Sequence, residues 1–203
     1  MLTLPMIPVL PRLLGTRMQL GVVVRDLDAA MTYWTQTLKV GPFVVFENSV
    51  AGRKVTYRGQ VTPVETTLAF SYLGDIQIEL VWQSNQAPSP YKEFLDAGRE
   101  GLQHIAFWPE RFAEACGELE KQGFREIFAM YLEDGSRNVA YFETPPHIGI
   151  LVELVPWTAA RAEYFGRIKT IVDNWDGTRP VRRYASRAEF LASQEGLIDT
   201  HAT

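Results

Sequence analysis

The feature that most constrains this chain is a pattern that occurs twice. One segment reads Gln77-Ile-Glu-Leu-Val-Trp82 and a second reads Leu151-Val-Glu-Leu-Val-Pro-Trp157. Each segment ends a similar succession of a strand, a helix and further strands, which begins at 18–24 and again at 101–108. Because self-similarity at this length is typical of duplicated architectures, we predict an α+β fold of two tandem βαβββ modules.

Periodicity gives the order of elements in each module. After strand 18–24, Asp26 opens a helix whose apolar residues recur at helical spacing. Strands follow at about 43–50, 65–73 and 76–83, and 52–59 can add a hairpin arm. In the second module, Pro109 can begin the helix, and strands follow at about 124–131, 137–143 and 149–155.

These elements predict five segments of the chain. They are an extended apolar arm at 1–16, the first module at 17–88, a linking helix at 89–100, the second module at 101–157 and a C-terminal helical extension at 158–203. Within the extension, 159–174 reads as a helix, Ser186 to Glu189 forms a capping box, and 197–203 reads as a loose end. We expect the two modules to form a cupped mixed sheet around a metal site.

Composition excludes several functional classes. The chain is 46% hydrophobic and 22% charged with a net charge of -4, which is ordinary for a globular protein. No Lys/Arg-rich run suggests a nucleic-acid partner. There is no apolar run of membrane-spanning length and no basic leader, so we predict a cytoplasmic protein without membrane contact. Cys116 has no second cysteine to pair with and reads as a core residue.

Four polar residues stand in strands that otherwise read as buried. Glu79 points away from an apolar row, because side chains alternate between the two faces of a strand. Glu153 and Gln19 have apolar neighbours on both sides, and His104 lies between Leu102 and Ile105. An unpaired buried carboxylate costs several kcal/mol or stays protonated. Each of these residues therefore needs a partner.

Their matched positions in the two modules favour one common partner. Taken singly, His104 could be a hydrogen-bonded core residue, Gln19 polar filling, and either glutamate the partner of Arg17 or Arg25. Taken together, one nitrogen and several oxygen donors form a set that suits Zn²⁺, our first choice, or Ni²⁺, Co²⁺, Mn²⁺ or Fe²⁺. The sequence thus predicts one divalent metal ion bound by Gln19, Glu79, His104 and Glu153.

The chain resembles the vicinal oxygen chelate superfamily, which includes glyoxalase I, methylmalonyl-CoA epimerase, extradiol dioxygenases and bleomycin-resistance proteins. The resemblance spans about 17–157 and rests on the stretches 19–28, 101–107 and 147–155. It places the family's metal ligands at the four positions above. The Gln/Glu/His/Glu set resembles zinc-type glyoxalase I, whereas 147–155 is more similar to the epimerase branch.

The resemblance implies that the metal chelates adjacent oxygens of a small substrate and polarises a carbonyl. A carboxylate then removes a neighbouring proton. We expect Glu153 to be this base, with Glu79 as its symmetry-related alternative. Aromatic side chains are expected to wall the cavity, namely Trp82, Tyr72 and Phe142.

The reaction stays open at this point. Glyoxalase I would require arginines where the chain has Val23 and Glu100, so a glutathione substrate is disfavoured. Extradiol dioxygenases need a second histidine ligand, which Gln19 does not supply. The remaining hypotheses are a metal-dependent isomerase, epimerase or lyase, and a non-catalytic protein that binds a small molecule. His147 reads as a turn residue, and the family's habit of dimerising predicts a homodimer.

Overall fold

The computed structural model describes residues 13–197. Most of the predicted arm (1–12) and most of the predicted loose end (198–203) lie outside the described residues. None of the helices in the described part is long and apolar enough to cross a membrane. The strands are β1 Met18–Val23, β2 Phe43–Phe46, β3 Lys54–Tyr57, β4 Gln60–Val61, β5 Thr66–Leu73, β6 Ile76–Gln83, β7 Gly101–Phe107, β8 Arg125–Tyr131, β9 Arg137–Glu143, β10 Leu151–Leu154 and β11 Val181–Tyr184.

The helices of the described residues lie between or after these strands. They are α1 Leu27–Thr32, α2 Pro90–Asp96, α3 Phe112–Lys121, α4 Ala159–Asp173 and α5 Arg187–Ala192, and a π-helical turn at Tyr33–Thr37 continues α1. Local sequence explains their starts. The Asp26 side chain accepts a hydrogen bond from the Ala29 amide, and Ser89 and Thr158 cap α2 and α4 in the same way, which satisfies amides that a helix start leaves free.

All the strands form one sheet of 11 strands in the order β11-β2-β5-β6-β1-β7-β10-β9-β8-β3-β4. The duplication is visible in its centre, where β2-β5-β6-β1 is followed by the reversed series β7-β10-β9-β8. The first strand of each module pairs in parallel with its last, β1 with β6 and β7 with β10. The modules join within the chain through the antiparallel pair β1–β7. The predicted fold class is therefore confirmed.

The connection between β2 and β3 shows that the sheet curls. The two strands are eight strand spacings apart in the sheet order, which is about 38 Å in a flat sheet. The chain from Phe46 to Lys54 can span only about 28 Å when fully extended. The sheet must therefore bend until the edges of the two modules approach each other. The predicted hairpin arm thus pairs β3 with β8 of the other module and crosses the open side of the cup.

The two faces of the sheet are covered differently. On the outer face, α1 packs on the first module through Leu27 and Met31, and α3 packs on the second through Cys116. On the inner face, α4 covers the first module. Phe165 packs against Phe70 of β5 with ring centroids 5.3 Å apart. Part of the C-terminal extension therefore lies inside the cup.

The sequence predicts a helical extension, but the structure shows a strand in it as well. Its residues Val181–Tyr184 form β11, which pairs in parallel with β2, with Val181 opposite Phe43. The strand was missed because two of its four residues are arginines, so it lacks an apolar alternation. Its charges are instead paired from outside the strand, since Arg182 contacts Glu195 at 2.8 Å and Arg183 contacts Asp28.

Candidate metal centre

Strand register brings the four predicted ligands to the inner face of the sheet. Gln19 of β1 lies opposite Gln77 of β6, and His104 of β7 lies opposite Leu151 of β10. Glu79 and Glu153 each come two residues after those partners. Because the side-chain period of a strand is two, each module contributes one carboxylate and one further polar group at equivalent places. The internal repeat thus makes a pseudosymmetric site.

Three of the four side chains meet. His104 Nε2 lies 3.3 Å from Glu79 Oε2 and 3.3 Å from Glu153 Oε2. One potential ligand atom from each residue lies within 4.8 Å of the other two. His104 is fully buried and the two glutamates are only 5% and 6% exposed. Bulk water therefore contributes little to balancing these charges.

The arrangement fits a divalent cation better than it fits hydrogen bonding alone. Neighbouring ligands at metal bonds of about 2.0–2.2 Å are themselves roughly 3.0–3.5 Å apart, which matches the separations at His104 Nε2. One imidazole N–H cannot serve two carboxylates well, and Glu153 Oε2 is buried with no hydrogen-bond partner. A buried oxygen of this kind is costly unless something positive meets it.

The alternative arginine partners do not reach these carboxylates. Arg25 pairs with Glu100, and the Arg17 guanidinium lies over the Trp108 ring, 5.3 Å from its centroid. Neither forms an ion pair with Glu79 or Glu153 among the described residues.

Protonation without metal follows from the same contacts. Burial by itself lowers the pKa of His104, but the adjacent carboxylates of Glu153 and Glu79 together outweigh burial and raise the pKa to about 9. Burial also raises the pKa of Glu79, while His104 partly opposes that rise. Near neutral pH, the metal-free imidazole is therefore cationic. Its positive charge balances the two carboxylates, as a bound metal ion would.

Gln19 and Tyr72 lie in a hydrogen-bonded row beside this group. Gln19 Nε2 donates to Gln77 Oε1 at 2.6 Å, and Gln77 Nε2 donates to the Tyr72 hydroxyl at 2.7 Å. The row engages the amide nitrogen of Gln19 and leaves its oxygen, the atom that could bind a metal, without a hydrogen bond from any described residue. Tyr72 thus orients the amides from behind and lies outside the lining of the cavity.

The other two predicted wall residues lie on the outer face. Trp82 packs with the cluster under α1, and Phe142 packs with the cluster under α3. Strand alternation explains both positions. Trp82 is three residues from Glu79, and Tyr141, the neighbour of Phe142, is the residue opposite Glu153. The aromatic residue beside the ligands is therefore Tyr141, whose ring centroid lies 4.9 Å from that of His104.

Two neighbours that the sequence analysis missed hold the histidine ring. Gln103 Oε1 lies 2.9 Å from His104 Nδ1, while its amide nitrogen donates to the Pro90 carbonyl. Partners of this kind orient metal-binding imidazoles. Gly21 lies opposite both His104 and Glu79, and the ring occupies the space above it. The glycine within the Val-rich strand β1 was the available sequence signal, since such glycines often mark a close approach.

A cavity adjoins the site. It has a volume of about 50 Å³, and its lining contains Gln19, Glu79, Glu153 and Tyr141. Hydroxyl groups of Ser49 and Thr66, aromatic rings and three arginines complete the wall. Buried carboxylates that line a cavity are a setting in which proton transfer is commonly found.

Gly21→Ala should destroy the site by steric overlap. A Cβ atom at this position would lie 1.9 Å from His104 Nε2, and the buried ring has no free space into which to move. We expect a loss of about 1–3 kcal/mol of stability and loss of metal retention, measured by denaturant unfolding and elemental analysis. Gly117→Ala is the control, because nothing lies within 4 Å of its added carbon. Equal metal content in both variants would contradict the close packing described here.

Comparison with known proteins identifies the family of the chain. The family model described as "Glyoxalase/Bleomycin resistance protein/Dioxygenase superfamily" matches residues 18–141. The methylmalonyl-CoA epimerase from Mycobacterium tuberculosis is similar in structure, with a TM-score of 0.50 and 22% identity over 74% of this chain and 93% of that chain. No curated protein matches the chain by sequence.

A second similar structure is a variant of the Streptomyces coelicolor methylmalonyl-CoA epimerase in complex with 2-nitronate-propionyl-CoA. Its TM-score is 0.50 and its identity 20%, over 72% of this chain and 96% of that chain. At these identities the two structures support the fold alone. Because the family model covers more than half of the chain, the protein belongs to the glyoxalase/bleomycin resistance protein/dioxygenase superfamily, that is, to the vicinal oxygen chelate proteins.

Proposed function

We propose that this protein is a divalent-metal-dependent isomerase, epimerase or lyase that abstracts a proton beside a carbonyl of a small molecule with adjacent oxygens. The observation that carries the proposal is the buried meeting of His104 with two carboxylates at a cavity wall. A binding protein would not need two buried carboxylates facing its ligand. Zn²⁺ is the first candidate ion, given one nitrogen and several oxygen donors.

Gln19, Glu79, His104 and Glu153 would hold the ion. When bound, it would supply Lewis acidity that acidifies the C–H bond next to a substrate carbonyl. Glu153 is our proposed proton acceptor, because it is a buried carboxylate that lines the cavity. Glu79 lies at the equivalent place in the other module, and burial raises its pKa toward the range useful for proton transfer. Two carboxylates related by pseudosymmetry can exchange a proton on opposite faces of one carbon.

The family and the fold support this class of reaction. The two similar structures described above are epimerases. Epimerisation removes a proton from one face of a carbon atom and returns a proton to the other face. We extend only the reaction class to this chain. The homodimer and the cytoplasmic location remain predictions from the sequence.

Elemental analysis tests the metal. The purified protein should contain about one divalent ion per chain, and His104→Ala should lose it, because the only nitrogen ligand is removed. His147→Ala is a matched control, since this histidine is exposed in a turn between β9 and β10. Retention of the ion by His104→Ala, or absence of any ion after incubation with Zn²⁺, Ni²⁺, Mn²⁺ and Fe²⁺, would overturn the proposed site.

Hydrogen exchange tests the chemistry. α-Hydroxycarbonyl compounds and acyl-CoA esters incubated with the loaded protein in D₂O should gain deuterium beside the carbonyl, as observed by NMR. We expect Glu153→Gln to lower the exchange rate by about 10²–10⁴ while the fold, measured by circular dichroism, is unchanged. A metal-loaded protein that exchanges no compound of either class but binds some of them would favour a non-catalytic binding protein.

Metal binding should release protons. His104 must be neutral to bind a metal, but in the metal-free protein its raised pKa of about 9 keeps it protonated at pH 7. The metal-free ion pairing accordingly stabilises the fold below pH 6.5 and is lost as the pH rises through about 9. Calorimetric titration with Zn²⁺ at pH 7, in two buffers of different ionisation enthalpy, should show release of about one proton. A heat that is the same in both buffers would contradict this protonation state.

A further inference from the structure

Three arginines line the cavity that contains the candidate metal ligands. Arg53 ends the segment that crosses from β2 to β3, Arg161 lies in the first turn of α4, and Arg187 begins α5. They come from three separate parts of the chain. Packing of the C-terminal extension inside the cup is what brings two of them to Arg53.

Among the described residues, no carboxylate pairs directly with these three guanidinium groups. Within residues 13–197, none of the three arginines forms an ion pair, although most other arginines of that range do. Arg161 donates to neutral acceptors, the Pro156 carbonyl and Asn138 Oδ1. Arg187 Nε is buried with no hydrogen-bond partner, and its guanidinium lies over the Tyr164 ring, 5.5 Å from the centroid.

The three guanidinium groups also repel one another. Burial, and after it the positive charge of Arg187, lower the pKa of Arg161 to about 10, while Glu153 partly opposes both. Burial and the charge of Arg187 lower the pKa of Arg53. The arginines are thus close enough to sense one another and the metal-site carboxylates. An arrangement that costs folding energy in this way is typical of a functional site.

A metal ion would make the imbalance larger. A divalent cation neutralises the charges of Glu79 and Glu153, after which no negative charge in the cavity opposes the three arginines. We propose that Arg53, Arg161 and Arg187 bind an anionic group, a carboxylate or a phosphate, at one end of the substrate whose adjacent oxygens face His104. The part of this inference that places adjacent oxygens at His104 rests on the proposed function, whereas the anion site does not. Guanidinium groups suit both anions because they donate paired hydrogen bonds to them.

Two of the three arginines of the proposed anion site belong to the C-terminal extension. Arg161 and Arg187 lie beyond residues 18–141, the range that the family model matches. Two hydroxyl groups complete the donors near Arg53, since Ser49 Oγ and Thr66 Oγ1 are 2.7 Å apart and line the same cavity. The extension thereby sets substrate choice, while the two modules carry the chemistry.

Pairs of small probes test the site without any enzyme assay. Malate and lactate are both 2-hydroxy acids, but only malate carries a second carboxylate. Glycerol 3-phosphate and glycerol differ in the same way by a phosphate. Each is titrated by calorimetry, in chloride-free buffer, into the Zn²⁺-loaded and the metal-stripped full chain. In at least one pair, we expect the compound with the additional anionic group to bind about ten- to a hundredfold more tightly than the compound without it.

Charge-neutralising variants assign the effect to these arginines. Arg187→Gln and Arg53→Gln should each remove most of the preference, and Arg187→Lys should retain part of it. Without ligand, Arg187→Gln should raise the melting temperature, because it relieves repulsion. Arg183→Gln is the control, since it removes the same charge from a neighbouring strand of the extension but lies outside this cavity. Circular dichroism checks that each variant folds.

The outcomes separate this inference from the proposed function. A preference that persists in metal-stripped protein and disappears in Arg187→Gln supports the anion site, even if the metal proposal fails. Preference for malate alone identifies a carboxylate, and preference for glycerol 3-phosphate alone identifies a phosphate. No preference in either pair overturns the inference, and so does an equal loss in Arg183→Gln, even where the protein binds its metal.

Discussion

The structure depends on the burial of two carboxylates and one imidazole on the inner face of a sheet. Such groups destabilise a fold unless opposite charges lie close to them. Here His104 Nε2 lies 3.3 Å from one oxygen of each carboxylate. Strand register, the bare backbone at Gly21 and the hydrogen bond that Gln103 Oε1 accepts from His104 Nδ1 all help to bring these groups together. The same closeness that balances the charges without metal makes the group suited to bind a cation.

The cavity beside this group forms because the sheet curls and because two segments outside the core of the modules cover its open side. The arm with β3 and β4 pairs with the far module, and α4 covers the inner face through Phe165. These segments close the cup with apolar packing, yet they also place three arginines without counter-charge in it. A purely structural cover would not need those charges. The extension therefore has both a packing role and a proposed role in recognising a substrate.

The residues of the site differ in how much the local sequence says about their positions. Alternation along a strand placed Glu79 and Glu153 on a face opposed to apolar neighbours, and the repeat linked them to Gln19 and His104. The same alternation should have excluded Trp82 from the cavity, since it is an odd number of residues from Glu79. Phe142 could not be assigned in this way, because a one-residue change of register exchanges the two faces of a strand. Only the pairing of Tyr141 with Glu153 showed that Tyr141, and not Phe142, faces the cavity.

By itself, the sequence determined the duplication, the order of elements, the family and the set of candidate ligands. These features are encoded locally, as periods of two and 3.6 residues and as a repeated segment, so they need no knowledge of long-range contacts. Only the tertiary structure decided that the sheet curls, that the extension adds β11, and that Arg53, Arg161 and Arg187 share a cavity with the ligands. Those features depend on contacts between residues far apart in the chain, and no local pattern records which distant surfaces will meet.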